Sequence, residues 1–264
     1  MKIVVIGGTG LIGSKTVQKL KERGHDAVAA APNTGVNVLT GEGLAETMSG
    51  AEVLIDVSNS PSFEEQAATD FFHTAGRNLT AAEVKAGVRH HVALSVVGTD
   101  RLQDSGYFRA KLAQEQLIKS SPIPYTLVHA TQFFEFIRTI AQLSTEGDTV
   151  RLPPVKFQPM AADDVASAIA EVALAEPLNR MIEIAGPETF TLDEAVGKVL
   201  DHDKDPRKVI ADPTAPYYGV RVSERTLVPD TGARLGSTTL DWWVANVPPP
   251  PKVAAAAPVA EPAH

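Results

Sequence analysis

A chain of 264 residues that is 44% apolar is long enough to bury one α/β core with a small appended lobe. Having no cysteine, it forms no disulfide, carries no thiolate nucleophile and offers no cysteine-ligated zinc site. A formal net charge of −8 disfavours a nucleic-acid surface, and no run approaches the roughly 18 apolar residues of a membrane helix.

The first element is the apolar run Ile3-Val4-Val5-Ile6, followed by Gly7-Gly8-Thr9-Gly10-Leu11-Ile12-Gly13 and a helical pattern over residues 11–23. Strand, glycine turn and helix in that order are the opening βα unit of a dinucleotide-binding fold. One glycine permits the tight turn, one lets the backbone approach a pyrophosphate, and one lets helix and strand pack closely. The unpaired N–H groups at the helix start then hold phosphate, which makes Gly7, Thr9, Gly10, Leu11, Ile12 and Gly13 candidate cofactor residues. A strand beginning this early leaves no room for a secretory signal, so a cytoplasmic location is the default expectation.

Alternation continues with strands at residues 27–31, 53–57, 91–96 and 125–129, and helices at 42–49, 63–86 and 106–120. Gly24, Gly50 and Gly87 fall just past helical patterns, where a left-handed C-cap is wanted. Beyond residue 131 the rhythm is irregular. Residues 131–144 read as helical, 148–157 as one or two short strands, and Asp163 or Asp164 as the cap of a helix running to about residue 175. Residues 181–185 read as a strand, and Thr191 with Glu194 has capping-box spacing. The expected fold is α/β, a Rossmann-type doubly wound parallel sheet with a small C-terminal α+β substrate lobe. Residues 1–247 form one domain in this reading, its lobe drawn mainly from about 131–247, and the Pro/Ala-rich residues 248–264 form a flexible tail.

Tyr107-Phe108-Arg109-Ala110-Lys111 puts a phenol and an ammonium at i and i+4, on one helix face. The pair opens the helix that follows the strand holding Ser95, on the carboxyl edge where open α/β sheets bind ligands. A nearby ammonium would lower the tyrosine pKa from about 10 and make Tyr107 an acid/base. Ser95 is placed to steady charge developing on a substrate oxygen. An exposed helix start with an ordinary lysine is the plainer alternative.

Taken together, the glycine turn, Ser95 and the Tyr-x-x-x-Lys pair resemble the short-chain dehydrogenase/reductase superfamily, in its atypical, NmrA-like and NAD(P)H-binding branch. Further likeness lies in Arg77-Asn78-Leu79-Thr80-Ala81-Ala82, Ala86-Gly87-Val88, Lys111-Leu112-Ala113-Gln114-Glu115, Pro124-Tyr125-Thr126-Leu127-Val128, Gln158-Pro159-Met160 and Asp164-Val165-Ala166. It covers roughly residues 1–200. His129-Ala130 stands where that branch often has Arg-Pro, and its helix-four asparagine has no secure match, Asn78 being assigned no role. The resemblance implies a catalytic set of Tyr107, Lys111 and Ser95, with Lys111 also binding the nicotinamide ribose. It also implies adenine contacts at Asn37 and Val38 and ribose contacts at Ser58 and Asn59.

The cofactor is expected to be NADP(H), with NAD(H) as the alternative, because Ala29-Ala30-Ala31-Pro32-Asn33-Thr34 lacks the carboxylate an NAD site usually places there. Asn33 and Thr34 are candidate donors to a 2′-phosphate. His129, Gln132 and Phe133 are candidate substrate-pocket residues, with core packing as the alternative, and Trp242-Trp243 are expected to anchor the C-terminal segment. No metal is expected, since adjacent His90 and His91 point to opposite faces of a strand. The expected activity is hydride transfer between a nicotinamide and a small carbonyl, alcohol or quinone-like substrate. The rivals are a non-catalytic NADP-binding redox sensor and, ranked last, a nucleotide-sugar epimerase or dehydratase. A small molecule is the expected partner, with neither nucleic acid nor membrane, and a homo-oligomer is compatible with the chain.

Overall fold

Because the strands of the first half are apolar on both faces, they stack side by side as a parallel sheet buried between helices. The computed structural model describes residues 1–248, so all but the first residue of the Pro/Ala-rich tail lies outside the described residues. In chain order the first half runs β1 (Lys2–Ile6), α1 (Leu11–Glu22), β2 (Asp26–Ala30), α2 (Leu44–Met48), β3 (Val53–Asp56), α3 (Glu65–Ala86), β4 (His90–Val96), α4 (Gly106–Ser120) and β5 (Tyr125–Ala130). The second half runs α5 (Ile137–Leu143), β6 (Thr145–Glu146), β7 (Thr149–Leu152), β8 (Lys156–Phe157), α6 (Ala162–Leu174), β9 (Arg180–Ala185), β10 (Phe190–Thr191), α7 (Leu192–His202), β11 (Lys208–Ala211), β12 (Arg234–Leu235) and α8 (Leu240–Asn246).

Among the described residues seven strands form the central sheet in the order β2-β1-β3-β4-β5-β9-β12, every neighbouring pair parallel. This is the expected Rossmann-type doubly wound architecture. On one face, Ile3, Val5, Ile55, Val92 and Val128 pack against Leu20 of α1 and Val165 and Ile169 of α6. On the other, Val4, Ile6 and Leu54 meet Met48 of α2 and Leu79 of α3, while Ala93 and Leu127 meet Ile118 of α4. The chain leaves β1 toward β2 on one side and β3 on the other, so a crevice opens at the carboxyl end of β1.

Gly24, Gly50 and Gly87 all take left-handed backbone just past their helices. At α6 the N-cap is Ala161, and Asp163 and Asp164 sit two and three residues inside it, in the first turn, where their charge favours the helix dipole. The Glu194 carboxylate accepts from the Thr191 N–H at 2.9 Å at the start of α7, as the capping-box spacing implied.

Residues 131–144 are not one helix. Phe134 N–H donates to Met160 O, and Met160 N–H to Gln132 O, both at 2.9 Å, which holds residues 131–133 extended before a short turn leads into α5. The lobe has a core of its own, with Phe134, Ile137, Leu152, Phe157, Val196, Leu227 and Trp243 among its buried members, while α6 and β9 return to the main sheet. Only one tryptophan anchors α8: Trp243 packs 5.5 Å from Phe134, whereas Trp242 faces solvent. Among the described residues no helix is long and apolar enough to cross a membrane.

Candidate functional site

A cleft of about 700 Å³ opens along the carboxyl edge of the sheet. Its walls bring together most of the residues singled out in the sequence: Gly7, Thr9, Gly10, Leu11, Ile12, Gly13, Asn37, Val38, Ser58, Asn59, Ser95, Tyr107, Lys111, Gln132 and Phe133.

The glycine turn decides whether a dinucleotide fits. Gly7 has φ +74°, and a Cβ there would lie 2.9 Å from the Val57 carbonyl oxygen. A Cβ on Gly13 would lie 2.1 Å from the Gly7 oxygen, so α1 can start this close to β1 only with hydrogen at that position. Gly10 caps α1 without a side chain, and the first turn holds no acid. The N–H groups of Leu11, Ile12 and Gly13 therefore have no intrahelical acceptor and face the cleft with the positive end of the helix. Those residues fit a pyrophosphate.

At the β2 side, Asn37 folds its own loop, its side-chain oxygen accepting from the Leu39 N–H at 2.9 Å. Asn78 of α3 donates to the carbonyls of Val38 (2.8 Å) and Leu39 (3.1 Å), so it fixes the loop proposed for adenine although its sequence context assigned it no role. Asn33 and Thr34 do not belong to the cleft wall. The Thr34 hydroxyl bonds the backbone of Ala29 and Ala31, closing the turn after β2. Asn33 lies on the exposed rim, accepting from the Thr9 hydroxyl at 3.1 Å.

At the other end, α4 presents Tyr107 and Lys111 to the cleft, but their polar atoms do not meet. The Tyr107 hydroxyl donates to Asn59 Oδ1 at 2.8 Å. Burial pushes its pKa up to about 12, the Asn59 bond only partly opposing. Lys111 is buried, its Nζ donating to Leu94 O at 3.0 Å and Gln114 Oε1 at 2.6 Å and lying 4.9 Å over the Phe72 ring. Burial brings its pKa down to about 8 against the pull of Asp56 and Glu115, so it is still an ammonium at neutral pH. The expectation that Lys111 lowers the tyrosine pKa is thus reversed, because its charge is directed into the sheet.

Two buried side-chain clusters underlie this end. Gln114 Nε2 donates to Asp56 Oδ2 at 2.9 Å, and Asp56 Oδ1 accepts from the Ser58 hydroxyl (2.6 Å) and N–H (2.9 Å). Lysine, amide and carboxylate thus link α4 to the segment carrying Ser58 and Asn59. In the second cluster, Glu115 Oε1 lies 2.6 Å from Ser95 Oγ and 2.9 Å from His129 Nε2, with Lys119 Nζ 3.4 Å from Oε2. Burial opposes ionisation of Glu115, but His129, Ser95 and Lys119 outweigh it and hold its pKa near 2. His129 is therefore not a pocket residue: it is 6% exposed and faces Glu115 beneath the cleft.

Asp56, Gln114 and Glu115 escaped sequence reasoning, although Lys111, Gln114 and Glu115 at i, i+3 and i+4 already share one helix face. Phe71 and Phe136 are further cleft residues that it missed.

A model of the NAD(P)H-binding family matches residues 7–176. The photosystem II assembly factor Ycf39 of Synechocystis sp. is 22% identical over 216 residues, covering 74% of this chain and 66% of that protein. The Cyanophora paradoxa protein of the same name is 21% identical, with 72% and 65% covered, so the chain spans just under two thirds of the length of these relatives. Among solved structures, the NADPH-dependent quinone oxidoreductase QOR2 of Escherichia coli, complexed with NADPH, has a TM-score of 0.64 at 21% identity, with 81% of this chain and 78% of that one covered. A short-chain dehydrogenase/reductase superfamily protein of Agrobacterium tumefaciens, with bound NAD, reaches 0.71 at 14% identity, covering 93% and 95%. Such identities attest a common fold, whereas the glycine turn, the cleft above it and the family match agree on more: the chain belongs to the NAD(P)H-binding family.

Proposed function

We propose that the protein is an NAD(P)H-dependent oxidoreductase that reduces a planar, apolar carbonyl compound, a quinone or an aromatic aldehyde or ketone. The observation that carries this reading is that the Tyr107 hydroxyl, still protonated at neutral pH, stands in the same cleft as the glycine turn. When bound, the nicotinamide supplies hydride from C4 to the carbonyl carbon. Tyr107 gives its phenolic proton to the carbonyl oxygen as charge builds there, its hydroxyl turning away from Asn59 Oδ1, a neutral amide acceptor that gives the proton up more readily than a carboxylate does. A phenol raised to about 12 stays protonated at neutral pH and is not a base there, which fits reduction rather than alcohol oxidation, although the rise makes it a weaker acid than a free tyrosine. Gly7, Gly10 and Gly13 seat the pyrophosphate, and the third N–H of Lys111, beyond the two given to Leu94 and Gln114, is left for the nicotinamide ribose.

Aromatic side chains support the substrate class. Phe133 and Phe136 stack at 5.6 Å with an interplanar angle of 24°, and Phe71 and Pro61 line the same cleft as Tyr107. The turn Ala31-Pro32-Asn33-Thr34 has no carboxylate to repel a 2′-phosphate, which favours NADP(H) over NAD(H).

Replacing Tyr107 by Phe is expected to cut turnover roughly 10²- to 10⁴-fold while NADPH affinity holds. A fully active variant rules the assignment out. The second reading, a redox sensor that binds NADP without turnover, draws on Lys111 and Ser95 being bonded to protein groups. Steady NADPH oxidation with any member of a quinone, ketone and aldehyde panel discards it.

A further inference from the structure

Ser95 ends β4 with its hydroxyl 2.6 Å from Glu115 Oε1, the length of a charge-assisted bond from O–H to carboxylate. An ionised carboxylate only accepts, so the single serine proton goes to Glu115. His129 Nε2 lies 2.9 Å from the same oxygen, at ion-pair distance. Thr99 cannot return a proton to Ser95: its hydroxyl, 3.4 Å away, donates to Val96 O at 2.6 Å. Glu115 is buried, and releasing the serine proton would strip a desolvated anion of a donor. What Ser95 has left for the cleft is lone pairs.

The geometry points to Ser95 as a hydrogen-bond acceptor at the floor of the cleft, held so by Glu115, which reads an N–H or O–H donor on the bound ligand. This is the opposite of the oxyanion-stabilising part that the sequence suggested. A carbonyl oxygen or an alkoxide gains nothing from such a group, which leaves Tyr107 as the donor to the reacting oxygen. Two ligand groups carry the required chemistry: the carboxamide amine of a nicotinamide, and the hydroxyl of the alcohol that reduction produces. Glu115 is a positioning residue, because it acts only through Ser95.

This assignment rests on the proposal that cofactor and substrate share the cleft, and two matched ligand pairs test it by calorimetry on the full chain. The first pair is NADPH and its acetylpyridine analogue, in which a methyl group replaces the carboxamide amine. The second is benzyl alcohol and benzyl methyl ether, titrated into protein saturated with NADP⁺. The wild type should prefer the donor-bearing member of one pair by about tenfold. Ser95→Ala should reduce that preference to near unity, and Ser95→Thr should keep it. Ser95→Cys, close in size but a weak acceptor, should behave as alanine does and serves if the alanine variant unfolds. Flattening in the first pair assigns the donor to the cofactor, and in the second to the substrate side. If neither ratio changes, or the wild type distinguishes neither pair, Ser95 accepts from no ligand and the assignment is overturned. Failure of the reductase reading looks different, with NADPH bound but oxidised by no acceptor.

Discussion

The two ends of the cleft are built from different material. The pyrophosphate end comes from the backbone of one local stretch, residues 7–13, and side chains matter there mainly by their absence. The reactive end comes from side chains on β3, β4, α4 and β5, whose polar atoms meet only after the sheet has formed. A backbone site tolerates no added atom. A side-chain site tolerates shape changes better, but every buried polar group in it needs a partner.

Gly13→Ala breaks the comparison at its backbone end and should have the largest effect. The new methyl would lie 2.1 Å from the Gly7 oxygen, so α1 must move off the turn. We expect a loss of about 3 kcal/mol of stability from overpacking and at least roughly a hundredfold in NADPH affinity. Gly24→Ala is the control. It has φ +79° with nothing within 4 Å, so it should cost about 1 kcal/mol through backbone strain alone. Its NADPH affinity should not change. Thermal unfolding and fluorescence titration of the two variants separate close approach from conformational strain; equal affinities would refute the cradle.

Gln114→Leu tests the side-chain end. The substitution removes the acceptor of one Lys111 bond and the donor to Asp56, contacts to charged groups worth about 1.5–3 kcal/mol each. In the wild type, kcat/KM for NADPH should fall above about pH 8 as Lys111 loses its proton, since Tyr107 titrates near 12. Without Gln114 the ammonium is less supported, so that limb should move to lower pH and activity at pH 7 should drop about tenfold. A limb unmoved in the variant would mean that Lys111 does not set it.

This division of material explains what the sequence disclosed. The glycine turn, the parallel strands and the C-capping glycines depend on residues a few positions apart, where rules of spacing apply, and the structure holds them where they were expected. Tyr107 and Lys111 were found as a pair because i and i+4 share a helix face, yet the Tyr107 hydroxyl donates to Asn59, 48 residues away, and Lys111 reaches Leu94 O on β4 as well as Gln114 three positions on. The direction of a charge is a tertiary fact. For the same reason His129 looked available at the end of β5 until α4 set Glu115 against it. The break at residues 131–134 was equally hidden, its cause being backbone pairing with distant Met160.

The smallest expected effect sharpens the comparison within a single dipeptide, because adjacent strand residues serve opposite faces. His90 Nε2 lies 2.9 Å from Thr126 Oγ1, while His91 Nδ1 lies 2.7 Å from Glu83 in the layer between sheet and α3. Burial, and then the charge of His91, bring His90 down to about 4, against a backbone bond to Ala175. Burial also opposes charging of His91, but Glu83, with help from Asp56, raises it above 6.5. A depressed histidine leaves the unfolded chain to bind the proton first, so the His90 contribution is whole above about 6.5 and shrinks as pH falls toward 4. A raised one does the reverse: the His91 contribution is whole below about 6.5 and is lost as pH rises through its folded value. The pair should therefore give the thermal midpoint a shallow maximum near pH 6.5, with limbs on the order of 1 kcal/mol per pH unit. His90→Gln should flatten the acidic limb and His91→Gln the alkaline one. If His91→Gln flattened the acidic limb instead, the direction in which Glu83 shifts His91 would be misassigned, and with it the view that the amino edge of the sheet, opposite the cleft, also rests on a buried ion pair.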